Sequence, residues 1–337
     1  MSTQEIRQNK ATRQWVVFSP ARNQKPKEFE EPSPASEEEA PAHDDACPFC
    51  PGNQDFSSDL LFEHIDSASG RWQTRAIINK FPALAPEGGL ERREAGIYLH
   101  MNGYGRHEVI IESPVHNQQM ATMDPDQVAL VVDTYHRRYL ENKREHPNLM
   151  TLVFRNHGRQ AGTSLVHPHS QLILTSVLPN HTRWREYEAQ RYFDQQGRCV
   201  YCDILEFESL ERRRVVYENE HFLGFVPYAA EESFQVQIMP KIHRADFGDI
   251  TEAEKTDLAE ALKNILSRLY QKLDDPDYNY IINTAARSGT DDPRLHWFLD
   301  IRPRLISPAG FQIGSGICIN PSFPEADADT LNGSGDD

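Results

Sequence analysis

Two short stretches decide the fold: Cys47-Pro-Phe-Cys50, followed by His116 and His167, and Cys199-Val-Tyr-Cys202, followed by His243 and His296. The histidines stand 51 residues apart in the first series and 53 in the second, and each interval holds a helix pattern and then a strand pattern. One CxxC arises easily by chance; two with matched histidines do not. The gap from the second cysteine to the first histidine is 66 residues in one series and 41 in the other, so the first copy carries an insertion. The chain is therefore expected to be a duplicated α+β unit, a mostly antiparallel sheet with flanking helices and a pseudo-twofold axis within the chain. Two thiolates and two imidazoles per half suit tetrahedral zinc better than magnesium or calcium, which prefer oxygen. Four protein ligands close the coordination sphere. Cys47, Cys50, His116 and His167, and likewise Cys199, Cys202, His243 and His296, are expected to hold structural zinc, one or two ions per chain. The fifth thiol, Cys318, reads as a small buried apolar side chain.

Outward from these marks, strand-like runs recur at Trp15-Val-Val-Phe18, His107 to Glu112, Leu149 to Phe154, Gln171 to Thr175, Phe234 to Met239 and Tyr278 to Asn283. Several alternate apolar and polar residues, as antiparallel strands with one solvated face do. One helix is expected from Asp124-Pro125, with proline pre-set for the first turn, through Val128, Val131, Val132, Tyr135 and Tyr139. Another opens on the capping box Thr251-Glu-Ala-Glu254 and carries Leu258, Leu262, Ile265, Leu266 and Leu269 on one face.

The chain has 337 residues, roughly two domains at about 150 residues each. Its net charge of −16 is concentrated in two places. Residues 28–45 hold eight acids and residues 325–337 five, with no Lys or Arg in either, so the rest carries only −3. Extended DNA or RNA binding needs a basic face, and none is expected. Residues 28–46 read as a flexible loop and 325–337 as a disordered acidic tail. No run approaches the ~20 apolar residues of a membrane span. The opening MSTQEIRQNKATRQ lacks the apolar core of a secretory signal, so the expected location is cytoplasmic.

The chemistry is expected at His167-Pro168-His169-Ser170-Gln171. Residues i and i+2 of a strand share a face, so His169 lies beside metal-anchored His167. A neutral imidazole held there is a nucleophile suited to phosphorus. Upstream, Asn156-His-Gly-Arg-Gln-Ala-Gly-Thr-Ser164 supplies the glycines and hydroxyls of a phosphate-cradling loop. The second copy reads His296-Trp297-Phe298, with Phe where the nucleophile would stand, so one active centre per chain is expected.

The run HPHSQ, taken with CPFCPGN at 47–53, NKFPAL at 79–84 and GRHEVIIESPVH at 105–116, resembles the galactose-1-phosphate uridylyltransferase family of the histidine-triad superfamily. The resemblance extends from RQWVVFSPARNQKP at 13–26 to GFQIGSGICINPSFP at 310–324. It implies two histidine-triad-like domains, residues 1–178 with the nucleophile and first zinc site and 179–324 with the second. It implies that His169 attacks the α-phosphorus of a nucleotide sugar, expels a sugar 1-phosphate, and passes the nucleoside monophosphate, expected to be UMP, to an acceptor hexose 1-phosphate. Gln171 stands where related hydrolases carry a third histidine, and an amide there donates to phosphate while activating water poorly. Arg22, Lys25, Asn79, Lys80, Asn156, Gly162, Thr163 and Ser164 match nucleotide- and phosphate-contacting positions. A homodimer is implied as well. Gly310 and Phe311 fall in the segment that grips the hexose, but the run Gly310-Phe-Gln-Ile-Gly-Ser-Gly316 lacks the family's usual Lys, Tyr and Glu. In this, and in its second Cys2His2 set, the chain looks more like the branch that includes plant ADP-glucose phosphorylase, so the alternatives to UMP transfer are an ADP-glucose phosphorylase that uses inorganic phosphate as acceptor and, from a different class, a non-catalytic zinc-stabilised nucleotide-binding module.

Overall fold

The computed structural model describes residues 4–24, 40–53, 60–286 and 292–333. The chain opens with a hairpin of β1 (Glu5–Gln8) and β2 (Trp15–Phe18). The first copy then lays down β3 (Leu60–Ile65) and β4 (Trp72–Ile78), a small hairpin of β5 (Arg92–Ala95) and β6 (Tyr98–Met101), β7 (Gly105–Ile111), helix α1 (Pro125–Glu145), β8 (Met150–His157) and β9 (His169–Thr175). Two helices follow, α2 (Asn180–Gln196) and α3 (Val200–Glu211). The second copy gives β10 (Val215–Glu218), β11 (Phe222–Phe225), β12 (Val236–Pro240), α4 (Glu252–Leu273), β13 (Tyr278–Asn283) and β14 (Phe298–Pro303). Short α5 (Gly310–Ser315), β15 (Cys318–Asn320) and α6 (Pro324–Leu331) close the described chain.

Ten strands form one sheet in the order β10-β11-β12-β14-β13-β8-β9-β7-β4-β3. Read outward from the centre, β13-β14-β12-β11-β10 repeats β8-β9-β7-β4-β3 strand for strand, so each copy contributes five strands related by a twofold. The fold is a duplicated α+β architecture, and every pairing in this sheet is antiparallel. The halves join where β8 meets β13, with Arg155 opposite Tyr280 and Asn156 opposite Asn279. Among the named strands, parallel pairing occurs only between β15 and β2, in the three-stranded sheet β1-β2-β15. The insertion that lengthens the first copy is the segment between β4 and β7 that carries the β5–β6 hairpin, whose Ile97, Tyr98 and Leu99 are exposed.

Helices α1 and α4 cover one face of the sheet and share a single core. Val128, Val131, Val132 and Tyr135 of α1 and Leu258, Leu262, Ile265 and Leu269 of α4 pack with Ile110, Val153, Leu172, Ile238, Leu299 and Ile301. Pro125 opens α1, and the Thr251–Glu254 capping box opens α4 as the sequence indicates. The opposite face differs from the expected solvated one. In the second half it is covered by α2 and α3, where Tyr201 and Leu205 pack on Leu223, Phe225, Met239 and Phe298. In the first half Phe49 packs there on Trp72, Val109 and Ile111.

The acidic stretch from residue 325, expected as a disordered tail, is instead helical through Leu331. Pro324 starts α6, and Ala328 and Leu331 bury against the core. Glu325 finds Arg7 at 3.0 Å and Arg214 at 2.8 Å, so part of the charge counted as unopposed is paired through tertiary contacts. Residues 28–39 of the expected acidic loop lie outside the described residues, and 40–46 run without helix or strand against the chain at 116–117, His116 N–H donating to the Ala42 carbonyl at 2.9 Å. No helix among the described residues is long and apolar enough to cross a membrane.

Candidate active site and two thiol–imidazole clusters

The eight expected metal-ligating residues gather as two separate clusters, Cys47, Cys50, His116 and His167 in one and Cys199, Cys202, His243 and His296 in the other. Within each, the donor atoms lie within 4.8 Å of one another. A tetrahedral zinc with bonds of about 2.3 Å to sulfur and about 2.0 Å to nitrogen places S and N about 3.5 Å apart. The S···Nδ1 separations are 3.4 and 3.6 Å in the first cluster and 3.2 and 3.7 Å in the second, so the donor sets fit that ion. Backbone carbonyls fix the ring orientation: Nε2–H of His167 donates to Ser113 (2.8 Å), that of His296 to Pro240 (2.9 Å) and that of His243 to Asp292 (3.0 Å). Each of these rings thus turns an unprotonated Nδ1 inward, the orientation that a metal-binding histidine needs. The paired rings repeat too, with centroids 5.4 Å apart in both clusters. In the first cluster burial pushes the Cys47 thiol up to about 11. In the second a hydrogen bond from Cys202 holds Cys199 far below the usual thiol value and pushes Cys202 up in turn. The clusters differ locally, since Cys47 and Cys50 lie in a turn whereas Cys199 caps α3.

His169 opens β9 directly beside the first cluster and is buried. Its Nδ1–H donates to the carbonyl of His167 at 2.8 Å, and no described residue hydrogen-bonds Nε2. Burial lowers its pKa, which keeps the ring neutral and the Nε2 lone pair present. Phe49, inside the CxxC turn, packs edge-on against both rings, 5.9 Å from His167 and 5.4 Å from His169. The cluster therefore holds the histidine from two sides, through the backbone and through that phenyl ring.

Beneath His169 lies a polar network that sequence reasoning missed. Glu112 N–H donates to the Pro168 carbonyl (3.0 Å), and the Glu112 carboxylate, fully buried, accepts from Ser170, from Tyr135 at 3.0 Å, and from Arg155 Nε at 2.9 and 3.0 Å. Burial disfavours the Arg155 charge, but the Glu112 carboxylate outweighs it and holds the guanidinium above its ordinary pKa. Arg155 Nη1 reaches Tyr278 at 2.7 Å in the other half. The only hint in the sequence is an acid directly after the apolar run Val109-Ile110-Ile111.

Among the other expected site residues, Asn79, Asn156 and Gln171 lie near His169. Gln171 Oε1 accepts from His107 Nε2 at 2.7 Å, and the Asn79 amide nitrogen lies 3.2 Å from the same ring nitrogen. Asn156 Oδ1 accepts from Asn279 of the second half at 2.8 Å. The loop after β8 carries Gly158 at φ +80°, where a Cβ would fall 1.8 Å from the Asp277 carboxylate, so no other residue fits. Gly162 (φ +90°), Gln160 and Ala161 border a cavity of about 260 Å³ that Asn279, Arg304 and Ile306 close from the second half. Thr163 turns its hydroxyl to the Leu165 carbonyl (3.1 Å), and Ser164 is exposed. Lys80 is exposed, its ammonium 5.9 Å from the Phe81 ring centroid. Arg22 is exposed on the turn after β2, and Gly310 and Phe311 are exposed on α5, which follows the cavity-lining segment Ile306 to Pro308 and precedes β15, the strand that pairs with β2. Lys25 lies outside the described residues.

A family profile for the galactose-1-phosphate uridyl transferase N-terminal domain matches residues 1–179, and that for its C-terminal domain matches residues 185–311. The chain belongs to this family. Among its members, the chain is 35% identical to the ADP-glucose phosphorylase of Arabidopsis thaliana over 95% of this chain and 90% of that one. It is 26% identical to the galactose-1-phosphate uridylyltransferase of Thermotoga maritima over 97% of each. The crystal structure of the Arabidopsis ADP-glucose phosphorylase with bound ADP-glucose superposes with a TM-score of 0.83, covering 98% of both chains at 32% identity. The protein is thus a nucleotidyltransferase of the galactose-1-phosphate uridyl transferase family.

Proposed function

We propose that the protein moves a nucleoside monophosphate between phosphate esters through a covalent adduct on His169 Nε2. The observation that carries this reading is the hydrogen bond from His169 Nδ1 to the His167 carbonyl, which places the ring proton on Nδ1 and leaves the lone pair on Nε2. In the first step Nε2 attacks the α-phosphorus, the bond to the bridging oxygen breaks, and sugar 1-phosphate leaves. In the second, an acceptor phosphate oxygen attacks the same phosphorus and frees the imidazole. Gln171 and the Gly158–Ser164 loop would hold the phosphoryl oxygens. Zinc, held by Cys47, Cys50, His116 and His167 and again by Cys199, Cys202, His243 and His296, would anchor the backbone with all four positions filled by protein.

ADP-glucose as donor and inorganic phosphate as acceptor is the substrate pair that the similarity to ADP-glucose phosphorylase supports. The exposed, uncharged run Gly310 to Gly316 agrees with it, since it brings no charged side chain to grip an acceptor hexose. The second reading, UMP transfer from UDP-glucose to a hexose 1-phosphate, draws support from the Thermotoga relative. Incubation with ADP-glucose or UDP-glucose, each with phosphate or galactose 1-phosphate, separates them by the products formed. The expected result is ADP and glucose 1-phosphate from ADP-glucose and phosphate. Turnover only of UDP-glucose with galactose 1-phosphate would transfer the assignment to the second reading, and no turnover with any pair would refute nucleotidyl transfer.

A further inference from the structure

We propose that His107 is a positioning residue that locks the Gln171 side-chain amide with its NH2 group turned toward the phosphoryl group on His169. The inference rests on the reading of His169 as the nucleophile and adds the residue that orients its neighbour. Nδ1 of His107 accepts the backbone N–H of Ala83 at 3.1 Å, and a backbone N–H can only donate. The ring proton is therefore on Nε2, which lies 2.7 Å from the Gln171 side chain; the Asn79 amide nitrogen, 3.4 Å from Nδ1 and 3.2 Å from Nε2, sits beside both ring nitrogens and does not discriminate between them. A donor at that place demands the amide oxygen. The NH2 group, with two donors, is left on the other side.

The lock matters because the terminal torsion of glutamine is broad and roughly two-fold, so an unheld amide turns over readily. Turned over, it would present oxygen to a phosphoryl oxygen. His107 is well placed to prevent this. Val109 lies opposite Gln171 in the β7–β9 register, which puts His107 one pleat along on the same face, and the ring is buried. Burial also lowers the pKa of His107, against the hydrogen bond to Gln171, which favours the neutral tautomer that the contact needs.

The second half supplies an internal counterpart. Asp300 follows His296 by four residues, as Gln171 follows His167, and it too receives a donor from the neighbouring chain segment: Gln235 Nε2 donates to Asp300 Oδ1 at 2.8 Å. The orienting contact is thus present in both copies, but only the first ends in a group that still has hydrogens to offer an anion. Gln235 also shows that a glutamine can fill the donor role.

The test compares His107→Leu with His107→Gln in the full-length protein, by rapid-quench measurement of adduct formation on His169 from ADP-glucose and from UDP-glucose. Rates are expressed per adduct-forming site, so partial unfolding does not mimic the effect. His107→Leu is expected to slow adduct formation by about tenfold, the scale of one lost hydrogen bond to a charged group, with a smaller change in the donor concentration giving half-maximal rate. His107→Gln is expected to recover most of that loss. A His107→Leu rate equal to that of the unmodified protein overturns the proposal while leaving the adduct chemistry intact. Failure of the unmodified protein to form any adduct overturns both. Nitrogen-15 NMR gives an independent check, since a proton on Nδ1 of His107 in place of Nε2 would contradict the lock even if the rates agreed.

Discussion

The two halves hold the same strands in the same order and the same Cys2His2 cluster, yet two residues past the cluster one carries His169 and the other Phe298. The surroundings have diverged with them. In the first half a glycine-rich loop bordering a cavity follows β8, the strand that pairs with the one His169 opens; in the second, Tyr201 of α3 packs 5.5 Å from the Phe298 ring and the Arg185 guanidinium of α2 lies 5.6 Å above it. The contrast fits the proposed reading, in which the cluster is a scaffold and His169 the seat of reaction, because the half that keeps the cluster without the histidine buries that position in core. The halves remain coupled, since Asn279 holds Asn156 and Tyr278 contacts Arg155 across the join.

The largest test of this contrast exchanges the two positions. His169→Gly is expected to lower turnover by at least about 10³-fold, with partial rescue by added imidazole. Phe298→His is expected to add no second adduct site, because α2 and α3 cover that position. Activity assays and intact-mass measurement check both, and label on the new imidazole of the Phe298→His variant would show that the two halves differ by little more than one residue.

The next test removes one ligand from each cluster. Cys50→Ala and Cys202→Ala are each expected to release one metal ion per chain and to lower the melting temperature, because closed sites tie metal binding to folding. Their effects on catalysis should differ. Loss of Cys50 frees the turn that carries Phe49 and so disturbs His169, whereas loss of Cys202 leaves the per-molecule rate of the folded fraction near normal. Equal losses of rate in the two variants would remove the distinction between scaffold alone and scaffold beneath a nucleophile.

The smallest effect concerns how the halves are tied on the helical face. Asp133 of α1 is bonded by Lys255 of α4 and by Arg137, and His64 Nε2 lies 3.0 Å from its carboxylate. Burial raises its pKa, but the bonds from His64, Lys255 and Arg137 outweigh that and hold the carboxyl well below the usual value. Its folded value lies below the unfolded one, so the contribution is present above about pH 4 and is lost as pH falls through the acidic range. Asp133→Asn is expected to cost about 1 kcal/mol at neutral pH and to flatten the acid limb of the stability profile. Denaturant titration at several pH values checks the sign.

The duplication was legible because Cys and His sets able to hold a metal are sparse and distinctive in sequence, so Cys47, Cys50 and their counterparts mark the repeat even where the rest has drifted. His169 was legible by its spacing from His167, and α1 and α4 by their apolar stripes and starting residues. Helices α2 and α3 were not expected. Much of α2 is polar, with only Thr182, Arg185, Glu188 and Ala189 buried, so no apolar stripe announces it. Glu112, Arg155 and Tyr280 come together only through strand pairing and helix packing, over separations of up to 168 residues that no local pattern records. His107 was inside a quoted motif, but its role depends on which ring nitrogen faces Ala83, a matter of geometry. The acidic tail misled because charge was counted without its partners Arg7 and Arg214.

Peptide mapping after incubation with ADP-glucose or UDP-glucose, in the absence of acceptor, measures the central claim most directly. The account predicts one nucleotidyl group per chain, attached to His169, with no label in the segment that holds Phe298. Label on any other residue, or in both halves, would contradict it.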